Sequence, residues 1–186
     1  MRYLILFAVM FFAPFFVTSA HAESTPASQI AALMEYCVPA IEGEKNPADF
    51  ALEKKLSEFP PDQAIKFSPD GGRVFAIPSD LGNAVLMTNK NYVGMCGIAI
   101  RETNSDQFWK VAHETFNRAT GFRLRREKRE ESERVSRKDF EKETPKGPIA
   151  LLISVSDKPR EGGMQALITL AKVKPKAALK APPKAP

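Results

Sequence analysis

Residues 149–155 read Ile-Ala-Leu-Leu-Ile-Ser-Val, an almost continuously apolar run of seven residues opened by Pro148. That pattern is the signature of a central β-strand, flanked by hydrogen-bonding neighbours and covered by other layers. A chain carrying it must build a sheet around it. Residues 164–172 then alternate Met164, Ala166, Ile168 and Leu170 against Gln165, Leu167, Thr169 and Ala171. This period of two suits a strand with one better-buried face. The charged, glycine-containing stretch Lys158-Pro159-Arg160-Glu161-Gly162-Gly163 between them reads as a loop.

Upstream the period is helical. Ile30, Leu33, Met34, Cys37, Val38 and Ile41 recur at spacings of three and four, predicting a helix over 27–42 that stops at Gly43. Asn46-Pro47 then caps and opens a second helix, with apolar positions Phe50, Leu52, Leu56 and Phe59, ended by Pro60-Pro61. After the turn Ser68-Pro69-Asp70-Gly71-Gly72, strands are expected at 73–77, 84–88 and 92–100, with a turn at Leu81-Gly82-Asn83. Asn104 or Ser105 caps a third helix, 106–119, with Phe108, Val111, Ala112, Thr115, Phe116 and Ala119 on one side and Gly121 at its end. Residues 122–129 and 135–143 read as charged strands. Helices first, then strands, one helix, then consecutive strands give an α+β fold. The expectation is two N-terminal helices, an antiparallel sheet of about five to seven strands and one further helix, in a single domain over 23–173.

The first residues are of another kind. One cation, Arg2, precedes an apolar run over 3–17 broken by Pro14, and small residues lead to Ala20-His21-Ala22. This is the layout of a cleaved signal peptide, 1–22, with scission between Ala22 and Glu23. Fifteen residues fall short of the ~20 needed to span a bilayer, so no transmembrane anchor is expected after processing. The expected location is the periplasm or the medium. Processing leaves 164 of the 186 residues, enough for a real core.

The last thirteen residues hold Lys174, Lys176, Lys180 and Lys184 among alanines and prolines, with no acid. Such a segment buries too little to offset its ordering entropy, so 174–186 is expected to be a disordered tail. Its lysines offer a weak, salt-screened attraction to anionic envelope polymers. The body, 23–173, has 22 basic and 22 acidic residues and no net charge. A nucleic-acid partner is therefore not expected, since it needs clustered excess positive charge. Residues 123–146 mix ten basic and seven acidic residues, which reads as a solvated face or exposed hairpin. The one dense basic cluster there is Arg125-Arg126 with Lys128-Arg129, beside Glu127, Glu130 and Glu131.

Two cysteines in an exported chain most simply pair. Cys37 lies on the stripe of the first helix. Cys96 sits in Gly94-Met95-Cys96-Gly97, where the glycines are expected to leave room for the helix backbone. A bridge would staple helix to sheet. The spacing is not the C-x-x-C of a redox centre.

Signals for chemistry are weak. His113-Glu114 begins like a zincin helix, but Asn117 stands where the second histidine belongs. There is no G-x-S-x-G, S-x-x-K, P-loop or G-x-G-x-x-G. Asp70 with Asp80, or Asp157 with Glu161, are loop acids read as structural. No cofactor and no metal site are expected.

Several segments carry a resemblance. They are Arg73-Val74-Phe75-Ala76-Ile77-Pro78, Gly82-Asn83-Ala84-Val85-Leu86, Cys96-Gly97-Ile98-Ala99-Ile100, Ala150-Leu151-Leu152-Ile153-Ser154-Val155-Ser156 and Gln165-Ala166-Leu167-Ile168-Thr169-Leu170. Over roughly 30–172 the chain resembles a family of small exported bacterial proteins of unknown function. The resemblance implies no catalytic residues. The expected role is a non-catalytic periplasmic protein that binds an envelope protein or small ligand. The alternatives are an enzyme with a site of His113 and carboxylates, and an envelope-associated structural protein that uses its basic tail.

Overall fold

The computed structural model describes residues 25–78, 84–92, 94–158 and 163–173. Ala22, Glu23, the turn at 81–83, most of the loop before Gly163 and the tail lysines Lys174, Lys176, Lys180 and Lys184 lie outside the described residues. Among the described residues, eight strands form one sheet: β1 Ser57–Glu58, β2 Val74–Ala76, β3 Ala84–Thr88, β4 Met95–Ile100, β5 Arg123–Glu130, β6 Val135–Lys142, β7 Ile149–Ser156 and β8 Ala166–Lys172. Their order is β1-β2-β3-β4-β8-β7-β6-β5, and every neighbouring pair is antiparallel. Two four-stranded meanders are thus joined edge to edge, with the last strand laid against β4. The fold is α+β, with eight strands rather than five to seven.

The helices build one layer. The first is a rod of three parts: α1 Pro26–Ala32, a π turn over Leu33–Cys37, and α2 Val38–Glu42. Thr25 and Ser28 cap it reciprocally: Ser28 N–H donates to Thr25 Oγ1 at 3.2 Å, and Thr25 N–H to Ser28 Oγ at 3.1 Å. The π turn precedes Pro39, which has no N–H to give and whose ring crowds the carbonyl four residues back. Widening the turn takes up that mismatch, so that Val38 N–H reaches back five residues to Leu33 O. Tyr36 and Cys37 both end up buried. At the C-terminal end, the positive φ falls on Glu44 (+60°), not on Gly43. Gly43 is needed for closeness instead: a Cβ there would stand 2.6 Å from the Pro39 carbonyl oxygen.

The second helix, α3 Pro47–Glu53, starts at the expected cap, where Asn46 Oδ1 accepts from Ala48 N–H at 2.9 Å. It ends six residues before Phe59. Lys55 turns left-handed (φ +61°), and Ser57 and Glu58 pair with Ala76 and Phe75 as β1. A sheet edge has captured the end of the expected helix. A short helix, α4 Pro61–Ala64, follows the proline pair. The third long helix, α5 Ser105–His113, is capped by Asn104 and continues as a π segment over Glu114–Ala119.

One core joins these layers. Ile30, Leu33 and Ile41 of the rod and Phe108, Ala112 and Phe116 of the third helix pack with Phe75, Leu86, Ile98, Ile100, Leu151, Ile153, Ile168 and Leu170 of the sheet. All fourteen are at most 1% exposed. Leu52, expected in the core, is 46% exposed because α3 presents that side to solvent. On β7, Ile149, Leu151, Ile153 and Val155 are buried, whereas Leu152 is 39% exposed. The near-continuous apolar run therefore covers one face only. The sheet's other face is open at β7.

Candidate functional site

The registers assign each side chain to a face. Cys96, Ile98 and Ile100 of β4 point to the helices. The opposite face carries two cross-strand rows. One runs Arg126, Asp139, Leu152, Thr169, Gly97, Met87, and the next runs Lys128, Arg137, Ser154, Leu167, Ala99, Val85. Both rows are charged on β5 and β6 and turn aliphatic and small toward β4 and β3. This face bears a shallow cavity of about 460 Å³, lined by Leu152, Ser154 and Leu167 on one side and by Arg126, Lys128, Glu130, Arg137 and Asp139 on the other.

The charges are organised. Glu130 Oε1 accepts from Lys128 Nζ at 3.0 Å and from Arg137 at 2.9 Å, so one carboxylate holds two cations. The strand is bulged between Leu124 and Arg126, and Arg125 pairs with Glu141 at 3.2 Å. Arg126 and Asp139 stand opposite each other in register, yet neither has an ion-pair partner among the described residues. On the helix side of the hairpin, Lys138 pairs with Glu127 at 3.1 Å, and its ammonium stands 5.1 Å from the Trp109 ring centre. Sequence reasoning treated 123–146 as a mixed-sign exposed hairpin. The β5–β6 hairpin has that form, but the neighbours that complete the site, Leu152 and Leu167, were not connected with it. The available signal was that both sit out of phase with the buried apolar positions of their strands.

The two cysteines form a disulfide with Sγ atoms 2.03 Å and Cα atoms 5.4 Å apart, and both are fully buried. The glycines beside Cys96 play a different part from the expected one. A Cβ on Gly97 would meet Ile168 O at 3.4 Å and Met87 Cε at 3.6 Å, and one on Gly94 would meet Lys172 Cβ at 3.5 Å. Both glycines face neighbouring strands at ordinary contact distance, and neither faces the helix.

The other candidates remain apart. His113 is exposed, with Nδ1 2.6 Å from the Asn117 amide nitrogen. Asp70 accepts from Ser68 Oγ at 2.5 Å and from the backbone N–H groups of Gly72 and Lys90 at 3.4 and 3.3 Å. Those bonds, the Ser68 hydroxyl foremost, hold its carboxyl below the usual carboxylate range. It works as a turn acid; Asp80 and Glu161 lie outside the described residues. Among the described residues no group of three or more His, Cys, Asp or Glu is placed to hold a metal ion. No helix among them is long and apolar enough to cross a membrane.

A second cavity, about 400 Å³, lies where β8 ends, between Glu44, Tyr92, Lys146 and Lys172. Glu44 pairs with Lys172 at 2.6 Å and Lys146 at 3.3 Å, and these cations lower its pKa. Tyr92 donates its hydroxyl to the Lys172 carbonyl. These groups close the end of the sheet onto the rod. Comparison with protein-family models, with curated proteins and with solved structures finds no match.

Proposed function

We propose that the chain is a small exported, non-catalytic binding protein whose recognition surface is the open face of the sheet over β5 to β8. Its N-terminal 22 residues are the export signal, and the mature protein works in the periplasm or outside the cell. Within this reading, the segments resembling small exported bacterial proteins supply the scaffold, and the charged hairpin is this chain's own addition to it.

The carrying observation is the stretch of sheet left open over β5 to β8; toward β2 to β4 the same face closes over buried Val74, Met87 and Ala99. Helices cover one face, and the other presents exposed Leu152 beside a row of cations and acids with a cavity between them. The cavity sets Leu152 beside Leu167 within a rim of charged side chains, an apolar centre with a polar border as recognition surfaces have. The buried disulfide supports export, because an oxidising compartment is where such a bond forms and persists.

A photo-reactive amino acid at Leu152, in the chain expressed with its own signal, tests the proposal in cells. A discrete cross-linked species from Leu152, absent when the probe stands at exposed Ile65, is expected. Identical behaviour of the two positions refutes the assignment of the face.

A further inference from the structure

The two ends of the sheet are unequal. β1 offers two residues of edge. β5 offers eight, about 26 Å of strand, of which seven are exposed. β5 is the last strand of the sheet, and no backbone group of the described residues pairs along its outer side. A long free edge of this kind is a template for another strand.

Its charges limit which strand that is. β5 has five cations and two acids, net +3. Both acids are neutralised within the hairpin, Glu127 by Lys138 and Glu130 by Lys128 and Arg137. Three of the cations are also engaged: Arg125 with Glu141, Lys128 with Glu130, and Arg129 with Glu131 and Asp157. Arg123 and Arg126 have no ion-pair partner among the described residues. They stand three residues apart, about 10 Å along the edge, separated by the bulge.

Charged side chains and bulges are also the means by which proteins guard their edges. Here the guard is selective. Two β5 strands brought together oppose +3 with +3, and an apolar strand must desolvate Arg123 and Arg126 without pairing them. A segment bearing carboxylates pairs both. The same groups that repel a second copy therefore select an acidic strand. We infer that β5 receives an acidic, extended segment of a partner protein as a ninth strand of the sheet. Main-chain hydrogen bonds would supply the affinity, and Arg123 and Arg126 would read its carboxylates. The inference rests on the reading of this chain as a binding protein, and it names the mode of binding and the chemistry of the partner.

The test uses the purified full chain and three capped peptides: (Glu-Val)4, (Lys-Val)4 and (Glu-Pro)4. Binding is followed by calorimetry, and backbone amide exchange across 123–130 by NMR. (Glu-Val)4 is expected to bind and to slow exchange of the outward amides of β5, while (Lys-Val)4 does neither. The double charge reversal R123E/R126E is expected to weaken (Glu-Val)4 at least tenfold. The neutral pair R123Q/R126Q, a milder change at exposed positions, should weaken it severalfold with an unchanged circular dichroism spectrum. Three results overturn the inference: no binding of (Glu-Val)4, binding that leaves β5 amides unprotected, or equal binding of (Glu-Pro)4, which has the same charge but lacks the backbone N–H groups a strand needs. A partner captured from Leu152 whose yield ignores both double variants refutes strand addition but spares the proposed function. Loss of the Leu152-specific product itself counts against that function instead.

Discussion

Removing the Cys37–Cys96 bridge should weaken the fold by an amount that its place in the chain dictates. The bridge spans 59 positions and ties the π turn of the first rod to β4, the strand where the two meanders meet. For a loop of this length, the chain-entropy treatment gives about 4 kcal/mol of stabilisation at 25 °C. The cleanest perturbation is C37A/C96A, which leaves two small apolar side chains in a fully buried site. C37S/C96S should cost more, by about 1–3 kcal/mol for each hydroxyl left without a partner. Urea unfolding followed by circular dichroism reads both. With a slope of about 2 kcal/mol per M, the alanine pair should lower the midpoint by about 2 M, and the serine pair further. Wild-type protein in excess reductant should approach the alanine pair. A shift of under about 0.5 M for the alanine pair would refute the argument. It would mean that the unfolded chain is already constrained over these 59 positions, or that the rod does not depend on its staple.

Three other outcomes follow from the same reading. Intact-mass analysis of protein extracted from the cell envelope should show a chain starting at Glu23, and a mass that retains residues 1–22 would contradict export with cleavage. Deleting 174–186 should leave the melting temperature within about 1 °C while removing four positive charges, and a larger fall would place the tail on the body. The depressed pKa of Asp70 gives stability that is full above the unfolded value near 4 and is lost as pH falls through the lower folded value. Between pH 7 and pH 3, D70N should therefore lose less stability in urea titrations than the wild type does, and equal losses would show that the Ser68 bond does not matter.

Much of the sheet was legible because its strands carry their own signal. Residues 84–88 and 135–142 alternate or are bounded by turn residues, and they form β3 and β6 within a residue of expectation. β1 was hidden because Ser57 and Glu58 become a strand only through pairing with β2, while Leu56 and Phe59 continue the helical spacing of α3. The π turn was hidden because it answers to Pro39, and periodicity alone sees only a helix. The open face was the larger omission. Leu152 lies in the most apolar run of the chain, where its phase against Ile149, Leu151, Ile153 and Val155 is the one local sign that it faces away from the core. The register, which sets Leu152 opposite Asp139 and Thr169, shows that this side is the solvated one. Residues 123–130 form β5 within a residue of the strand expected at 122–129, although their charges would equally suit a surface helix. Their pairing with β6 is what makes them a strand.

The topology explains how one chain can hold a firm core and an accommodating edge. Each meander closes locally, hairpin by hairpin, and the long-range step is the docking of β8 on β4, whose paired residues lie about 70 positions apart. Ordering so long a loop is costly, so this seam needs reinforcement. It receives it from both sides: the disulfide fixes β4 to the rod, and Glu44, at the rod's end, grips Lys172 at the end of β8. Helix α2 lies over β8 as well. The reinforcement falls off with distance from the seam. β5 is three strands away from β8; buried Phe122 just before it packs on Phe116 of the third helix, and beyond that start it is held through β6 and a fringe of exposed ion pairs, each worth under about 1 kcal/mol. A strand at this end of the sheet keeps its inner side paired with β6, while its outer hydrogen-bonding groups pair with no strand among the described residues. The charge pattern of 123–130 and its position at the far end of the sheet are thus parts of one arrangement: the stability is concentrated at the seam, and the proposed binding edge lies farthest from it.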